Sequence, residues 1–491
     1  FTGAVKTESG KAHLVAPAGT TIEVPVKAGQ NVNVGYYYQA DFTVNGQTVT
    51  SNSGSTSKFE SSDFTANADG TLTITVNTLT YFTGITVGTK VPYAENIYVG
   101  ADKEYKTIND ALAAVRLMDR PNSERVTINV DPGDYQEMLV IDVDNVTLKN
   151  TAANPDTALI NKGVNITENG VRVTSYYIHG YNYFSMTDDC KYDEEVLKTN
   201  KENGYLSFEN PGSGTTKNSY WNATVTVRGT GFEADGIIFE NSANQYISTK
   251  EANDVVQEWT VGGKGTRPTT AGDTSVQNKS FVERAAAIAI LGDKAYFNNC
   301  KFVGRQDTLY GASNIRAAFN KCTAMGGTDF IFGGMVATFY KSDIMMNTSE
   351  DNNDVAYLTA AQQASGRGYL MYDCNVVSTT PGVDTASEYV SKPGYFGRPW
   401  QATTSEVAFV NTTVGVASDG TSLVTPAGWS ASLGGEANCY EYNTKELAGV
   451  DNSANRVAWS TVLTEPKLAD GTELVPYTYT QGTDGWNPIK I

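Results

Sequence analysis

The chain has 491 residues, 40% of them hydrophobic, and a formal net charge of −18. Its length predicts two domains, or one elongated repeat domain with a smaller module. The acidic balance excludes a nucleic-acid partner, which needs a basic face, and no apolar run is long enough for membrane insertion. The 46 glycines and 28 tyrosines, with many Thr and Asn, favour β structure with numerous turns. The only histidines, His13 and His179, lie in no motif, and no G-x-S-x-G is present. A Ser-His-Asp hydrolase and a His-rich metal site are therefore not expected, and carboxylates are the expected acid-base groups. Five cysteines, Cys190, Cys300, Cys322, Cys374 and Cys439, are an odd number without metal-site spacing, so a complete disulfide framework is not expected.

Residues 1–92 alternate apolar and polar side chains in "TTIEVPV", "NVNVGYYY", "DFTVNGQTVT" and "TLTITV", with Gly- and Asn-rich turns between. This predicts an antiparallel β-sandwich ending in a linker near "GTKVPYAEN". A helix follows: Thr107 caps "INDALAAVRLM", Asp110 takes the capping-box position, and Ile108, Leu112, Val115 and Met118 form the apolar stripe up to Pro121. "RVTINVDPGDYQEMLVI" then predicts a strand, a turn at Pro132-Gly133 and another strand. Residues 152–222, with the aromatic cluster "SYYIHGYNYF", and the polar residues 245–283 break the rhythm and predict long loops on the scaffold.

The later sequence repeats weakly. "FNNCKF", "FNKCTA", "FYKSDI", "MYDCNV" and "FVNTTV" place a small residue at 300, 322, 342, 374 and 412. Steps of 20 and 22 residues fit single coils of a solenoid, and the longer steps fit coils with extended loops. Short strands of uneven spacing predict an all-β chain in which residues 93–491 form a parallel β-helix. A small residue stacked inside successive coils accounts for the cysteines without a 300–322 disulfide.

Three motifs carry the chemistry. In "FVGRQDTLYG" Asp307 lies seven residues after Cys300, and in "GGTDFIFGG" Asp329 lies seven after Cys322. Equal phase on consecutive coils, about 4.8 Å apart, brings the two carboxylates together. One pKa then rises, leaving an acid beside a carboxylate. Gln306 is placed to donate to an oxyanion. In "GYFGRPW" Arg398 can pair bidentately with a carboxylate, and Trp400 offers a flat face for a sugar ring. Taken singly, each aspartate is an ordinary turn residue; the matched phase and the neighbouring Gln point to function.

"GRQDTLYG", "GGTDFIFGG" and "YFGRPW" resemble, in order, the three signature motifs of pectin methylesterases. "YKTINDALAAV", "PGDYQE", "ATVTVRGTGFEADGIIFEN", "AGW" and "EYNTKELAGVDNSANRVAW" resemble weaker features of that family, from about residue 95 to 460. The resemblance implies a right-handed parallel β-helix that hydrolyses galacturonate methyl esters of pectin. It implies Asp329 as nucleophile, Asp307 as general acid and then base, Gln306 as oxyanion donor and Arg398 as the partner that holds Asp329 ionised. Trp400 and Phe332 resemble residues lining the sugar subsites, and Tyr310 is expected in the same groove. The resemblance implies no metal or organic cofactor, pectin as the partner, a monomer, and a secreted or cell-surface location. Arg284 stands where the family usually has a second Gln. An Arg there can stabilise an oxyanion, shift both aspartates or point away. Two other readings stand beside this one: a pectin-binding β-helix with weakened turnover, and an esterase for another sugar ester. Residues 1–92, with the tyrosines of "GYYYQADF", are expected to be an accessory module that binds polysaccharide or merely packs. A chain at −18 is also repelled by a polyanionic product, which predicts a preference for highly methylated pectin.

Overall fold

The computed structural model describes residues 6–7, 14–54, 59–121, 123–178, 220, 223–254, 267–401 and 403–489; His13, His179 and Cys190 lie outside them. The alternating N-terminal segments form two antiparallel sheets. One joins Lys6–Thr7, Leu14–Ala16, Thr80–Thr89, Gln30–Tyr37 and Phe59–Thr65, and the other joins Thr21–Val26, Gly70–Val76, Gln39–Val44 and Gln47–Asn52, in those orders. The period of two sends Val32, Val34, Phe42, Val44, Leu72, Ile74 and Phe82 into a shared core. Asn45 and Gly46 take φ of 48° and 83°, the left-handed values that a two-residue hairpin needs. The segment read as a linker is paired: Thr89 still bonds in the sheet opposite Gln30, and Val91–Pro92 runs parallel to Met118–Asp119.

That pairing also ends the helix early. It spans Ile108–Arg116, capped by Thr107, whose Oγ1 accepts from the Asp110 N–H at 3.0 Å. Met118 is extended, so it joins the apolar core from a strand rather than from the helix stripe. The helix N-terminus rests on Glu137 of "PGDYQE": its carboxylate accepts from the N–H groups of Ile108 at 2.8 Å and Asn109 at 3.0 Å. An anion there meets the orphan donors and the positive end of the helix dipole.

From Asn96 onward three parallel sheets of eleven, nine and seven strands wrap one core. Each complete coil gives a short strand to each sheet, with alternate residues inside. The repeat seen in the sequence is a corner. Cys300, Cys322, Ser342, Cys374 and Thr412 are all buried, and each follows a left-handed residue: Asn299 at φ 49°, Lys321 at 53°, Lys341 at 49°, Asp373 at 52° and Asn411 at 54°. The small side chain fits inside the bend. The thiols of Cys300, Cys322 and Cys374 are free, and Cys322 Sγ donates to Phe297 O at 3.4 Å. The longer steps are single coils, because Val336–Tyr340, Tyr369–Tyr372 and Glu406–Val410 are successive neighbours in one sheet. Phenyl rings stack along the same core, Phe297 on Phe319 at 5.0 Å and Phe319 on Phe339 at 4.2 Å.

Of the two interruptions, residues 152–178 and 220 of the first are described; the second contributes a short helix, Thr249–Asn253, and the 3-10 turns Ser275–Gln277 and Lys279–Phe281.

The corner preceding the seven-stranded sheet is tighter. A Cβ at Gly326 would overlap the Cβ of Phe330, so only glycine lets the chain turn back beneath "TDF". We predict that Gly326→Ala lowers unfolding free energy by about 1–3 kcal/mol through overpacking, read from denaturant midpoints at unchanged m-value.

Candidate active site

The seven-stranded sheet runs through Leu139–Ile141, Val225–Val227, Ile288–Ile290, Leu309–Gly311, Ile331–Gly333, Tyr357–Ala361 and Tyr395–Gly397. Its central strands pair Leu309 with Ile331, Tyr310 with Phe332 and Gly311 with Gly333. Asp307 and Asp329 therefore sit at the same place on adjacent coils, each two residues before its strand. Both adopt left-handed backbone, φ 57° and 54°, and both are buried, 5% and 7% exposed. A non-glycine in this conformation carries a cost, and Asp tolerates it better than most residues. The Asp307 N–H donates to Thr328 O at 3.0 Å, which locks the two corners together.

Arg398 arrives from two coils further on. Its Nε donates to Asp329 Oδ1 and its Nη2 to Oδ2, each at 2.7 Å, the bidentate pair expected of an Arg and a carboxylate. The guanidinium also lies over the Tyr357 ring, 4.2 Å from its centroid, and Tyr357 stacks on Tyr395. Behind the strand, the buried Trp429 of "AGW" packs on Phe396 and Phe409, and the Phe396 N–H donates to Gly428 O. Burial pushes the Asp329 carboxyl above its ordinary value, while Arg398 and the more distant Lys279 pull it back.

Gln306 is half-buried beside Asp307, and Arg284 forms a parallel bridge with it one coil earlier. Arg284 thus occupies the position the residue count assigns it, half-buried, with its neighbour Ala285 donating to Gln306 O at 3.2 Å. The expected sugar platforms differ among themselves. Trp400 is 40% exposed, whereas Phe332 is 1% exposed and lies under Tyr310 at 5.0 Å between centroids. Phe332 therefore backs Tyr310 and offers no open face of its own. Among the described residues no group of His, Cys, Asp and Glu is placed to hold a metal ion.

Sequence reasoning missed the support beneath the pair. Arg305, next to Gln306, points the other way into full burial. Its Nη1 donates to Gln277 O at 2.8 Å and its Nη2 to Asp354 Oδ2 at 2.5 Å. Asp354 also accepts from the Ser349 N–H and pairs with Lys279 at 3.4 Å. The partners come from distant loops without a spacing signal, although the Arg of "GRQD" was visible. Asp354→Ala leaves the Arg305 charge buried and unpaired. We expect a loss of about 3–5 kcal/mol in unfolding free energy, measured by denaturation, with the double variant Arg305→Met/Asp354→Ala recovering part of it.

These features define a class: a parallel β-helix with a carboxylate pair, one member clamped by arginine, on the outer edge of one sheet. The pectinesterase family model matches residues 247–483, which contain all three motifs. Over those residues, a little under half of its length, the chain is similar to the pectinesterase family. A probable pectinesterase A of Neosartorya fischeri is 30% identical over 265 residues, covering 53% of this chain and 63% of that protein. A putative pectinesterase/pectinesterase inhibitor of Arabidopsis thaliana is 29% identical over 280 residues, covering 55% of this chain and 31% of that protein. The chain thus spans less than two thirds of the length of either relative. In fold it is similar to the pectin methylesterase of Aspergillus niger, with TM-score 0.51 and 22% identity over 81% of this chain and 98% of that one. It is also similar to the pectin methylesterase from carrot, with TM-score 0.51 and 17% identity over 80% and 94%.

Proposed function

We propose that the chain hydrolyses methyl esters of galacturonate in pectin, giving methanol and the free acid, outside the cell or at its surface. The observation that carries this reading is the in-phase pair Asp307 and Asp329 with the Arg398 guanidinium bonded bidentately to Asp329. In this reading the arginine favours the carboxylate form of Asp329 and aims its oxygens, and Asp307 carries the proton.

An Asp329 oxygen attacks the ester carbonyl carbon, and the carbonyl oxygen takes the negative charge. Gln306 donates to that oxyanion, a contribution of about 3–4 kcal/mol for one good donor; Arg284, its neighbour on the previous coil, is a candidate for the second. The bond to the methoxy oxygen breaks as Asp307 gives that oxygen its proton, and methanol leaves. Asp307, now ionised, takes a proton from water whose oxygen attacks the acyl carbon. The bond to Asp329 breaks, the acid departs, and both aspartates return to their starting forms. Trp400 supplies the open apolar face for a neighbouring sugar ring. The relatives' names and the three motifs support methyl ester over other esters. The N-terminal sandwich is proposed as an accessory module; its half-exposed Tyr38 and Tyr81, edge to face at 5.5 Å, are the candidate polysaccharide contact.

The test is product identity. Highly methylated pectin should yield methanol and titratable acid in equal amounts, with acetate release from acetylated pectin far slower. Acetate as the main product would replace this reading with an esterase for another sugar ester. Binding of pectin without any product would replace it with a binding protein.

A further inference from the structure

The outer face of the seven-stranded sheet differs on the two sides of the aspartate pair. On the side of the later coils Trp400 stands exposed. On the side of the earlier coils the face is already occupied. Tyr220, from the end of the first interruption, lies flat on Tyr310, with ring centroids 4.0 Å apart and planes within 18°. Its ring sits in a bed of small side chains, Ala223, Ala286 and Ala289, at most 2% exposed. Two of these belong to the coil that carries Arg284, directly before the Gln306 coil. The turn is held by the Ala223 N–H donating to Tyr220 O at 3.1 Å. Tyr310 in turn covers Phe332. A sugar ring bound in this groove would stack flat on an aromatic face, and the free face of Tyr310 is filled by another residue of the chain.

Resting on the function proposed above, we infer that Tyr220 is a specificity-determining residue that takes the place of one sugar ring on Tyr310. The esterified galacturonate chain then enters only from the Trp400 side, and the ester that reaches Asp329 is at or next to a chain end. The preferred substrate is a short methylated oligogalacturonide rather than the interior of a long polymer. The reacting groups are the same for either substrate; only the subsites differ.

The experiment compares wild type, Tyr220→Ala and Tyr220→Phe on a fully methylated galacturonate hexamer and on long methylated pectin. Methanol release is measured, and the first de-esterified position of the hexamer is located by fragment mass spectrometry. Wild type and Tyr220→Phe should attack a terminal or penultimate residue first. Tyr220→Ala should attack internal residues and gain about tenfold in kcat/KM on long pectin, as expected for one opened stacking subsite. Internal attack by wild type, with the same pattern in Tyr220→Ala, would overturn the inference while leaving the methylesterase reading intact. Should Tyr220→Ala fail to fold, the wild-type position of first attack decides alone. Absence of methanol from both substrates would overturn both readings.

Discussion

On the proposed mechanism Asp329→Asn should lower kcat/KM for methanol release by on the order of 10⁴–10⁶, the range seen when a nucleophile or its essential partner is removed. The amide has the shape of the carboxylate and keeps an oxygen for one Arg398 N–H, so the corner at φ 54° and the strand Ile331–Gly333 should persist. Circular dichroism and the denaturant midpoint check this. Pectin affinity should change little, because the exposed Trp400 lies on another coil. Loss of turnover with retained binding separates a chemical role for Asp329 from a structural one. Loss of both would mean that the Arg398 pair mainly holds the groove together.

Arg398→Gln should act on both rate and pH dependence. The guanidinium holds Asp329 through two bonds of 2.7 Å, and if Asp329 attacks as proposed, its release from this clamp should cost alignment and about 10²-fold in kcat. The pH effect has a definite sign. Burial raises the Asp329 carboxyl above its ordinary value, and Arg398 opposes that rise. In the proposed mechanism attack needs the carboxylate, so activity should fall as pH drops through the raised value, with the acid limb of kcat/KM displaced upward. Removing the guanidinium removes the opposing pull. The pKa climbs further and the acid limb moves to higher pH, so the deficit is greatest in acid and narrows as pH rises. Stability follows the same direction. A carboxyl with a folded pKa above its unfolded one binds its proton more tightly when folded. Stability therefore falls as pH rises through the window between the two values, and Arg398→Gln widens that window. A rate-pH profile of unchanged shape would show that the arginine orients Asp329 without tuning it.

Much of this site was legible because a β-helix turns sequence distance into spatial register. The step from Cys300 to Cys322 and the equal offsets to Asp307 and Asp329 needed no structure to align, and the bridge between Arg284 and Gln306 sits where counting puts it. The sandwich strands were legible from their period of two. Other features depend on contacts that no period announces. Lys321 and Lys341 adopt left-handed backbone at the corners although lysine has no preference for it; the packed small residue that follows imposes the bend. Glu137 reaches the helix N-terminus from the next coil, and Arg305 finds Asp354 from a distant loop. The helix stops at Arg116 because Met118–Asp119 is drawn into pairing with Val91–Pro92. Phe332 fits the platform motif by residue type, but a parallel neighbour, Tyr310, covers it.

The claim that Asp329 forms a covalent bond to the substrate can be tested directly. The wild-type chain is mixed with a methylated oligogalacturonide, quenched in acid within milliseconds, digested and analysed by mass spectrometry. An adduct of substrate minus methanol is expected on the peptide carrying Asp329 and should be absent from the Asp329→Asn variant. An adduct on a different residue, or methanol released by Asp329→Asn at the wild-type rate, would contradict it.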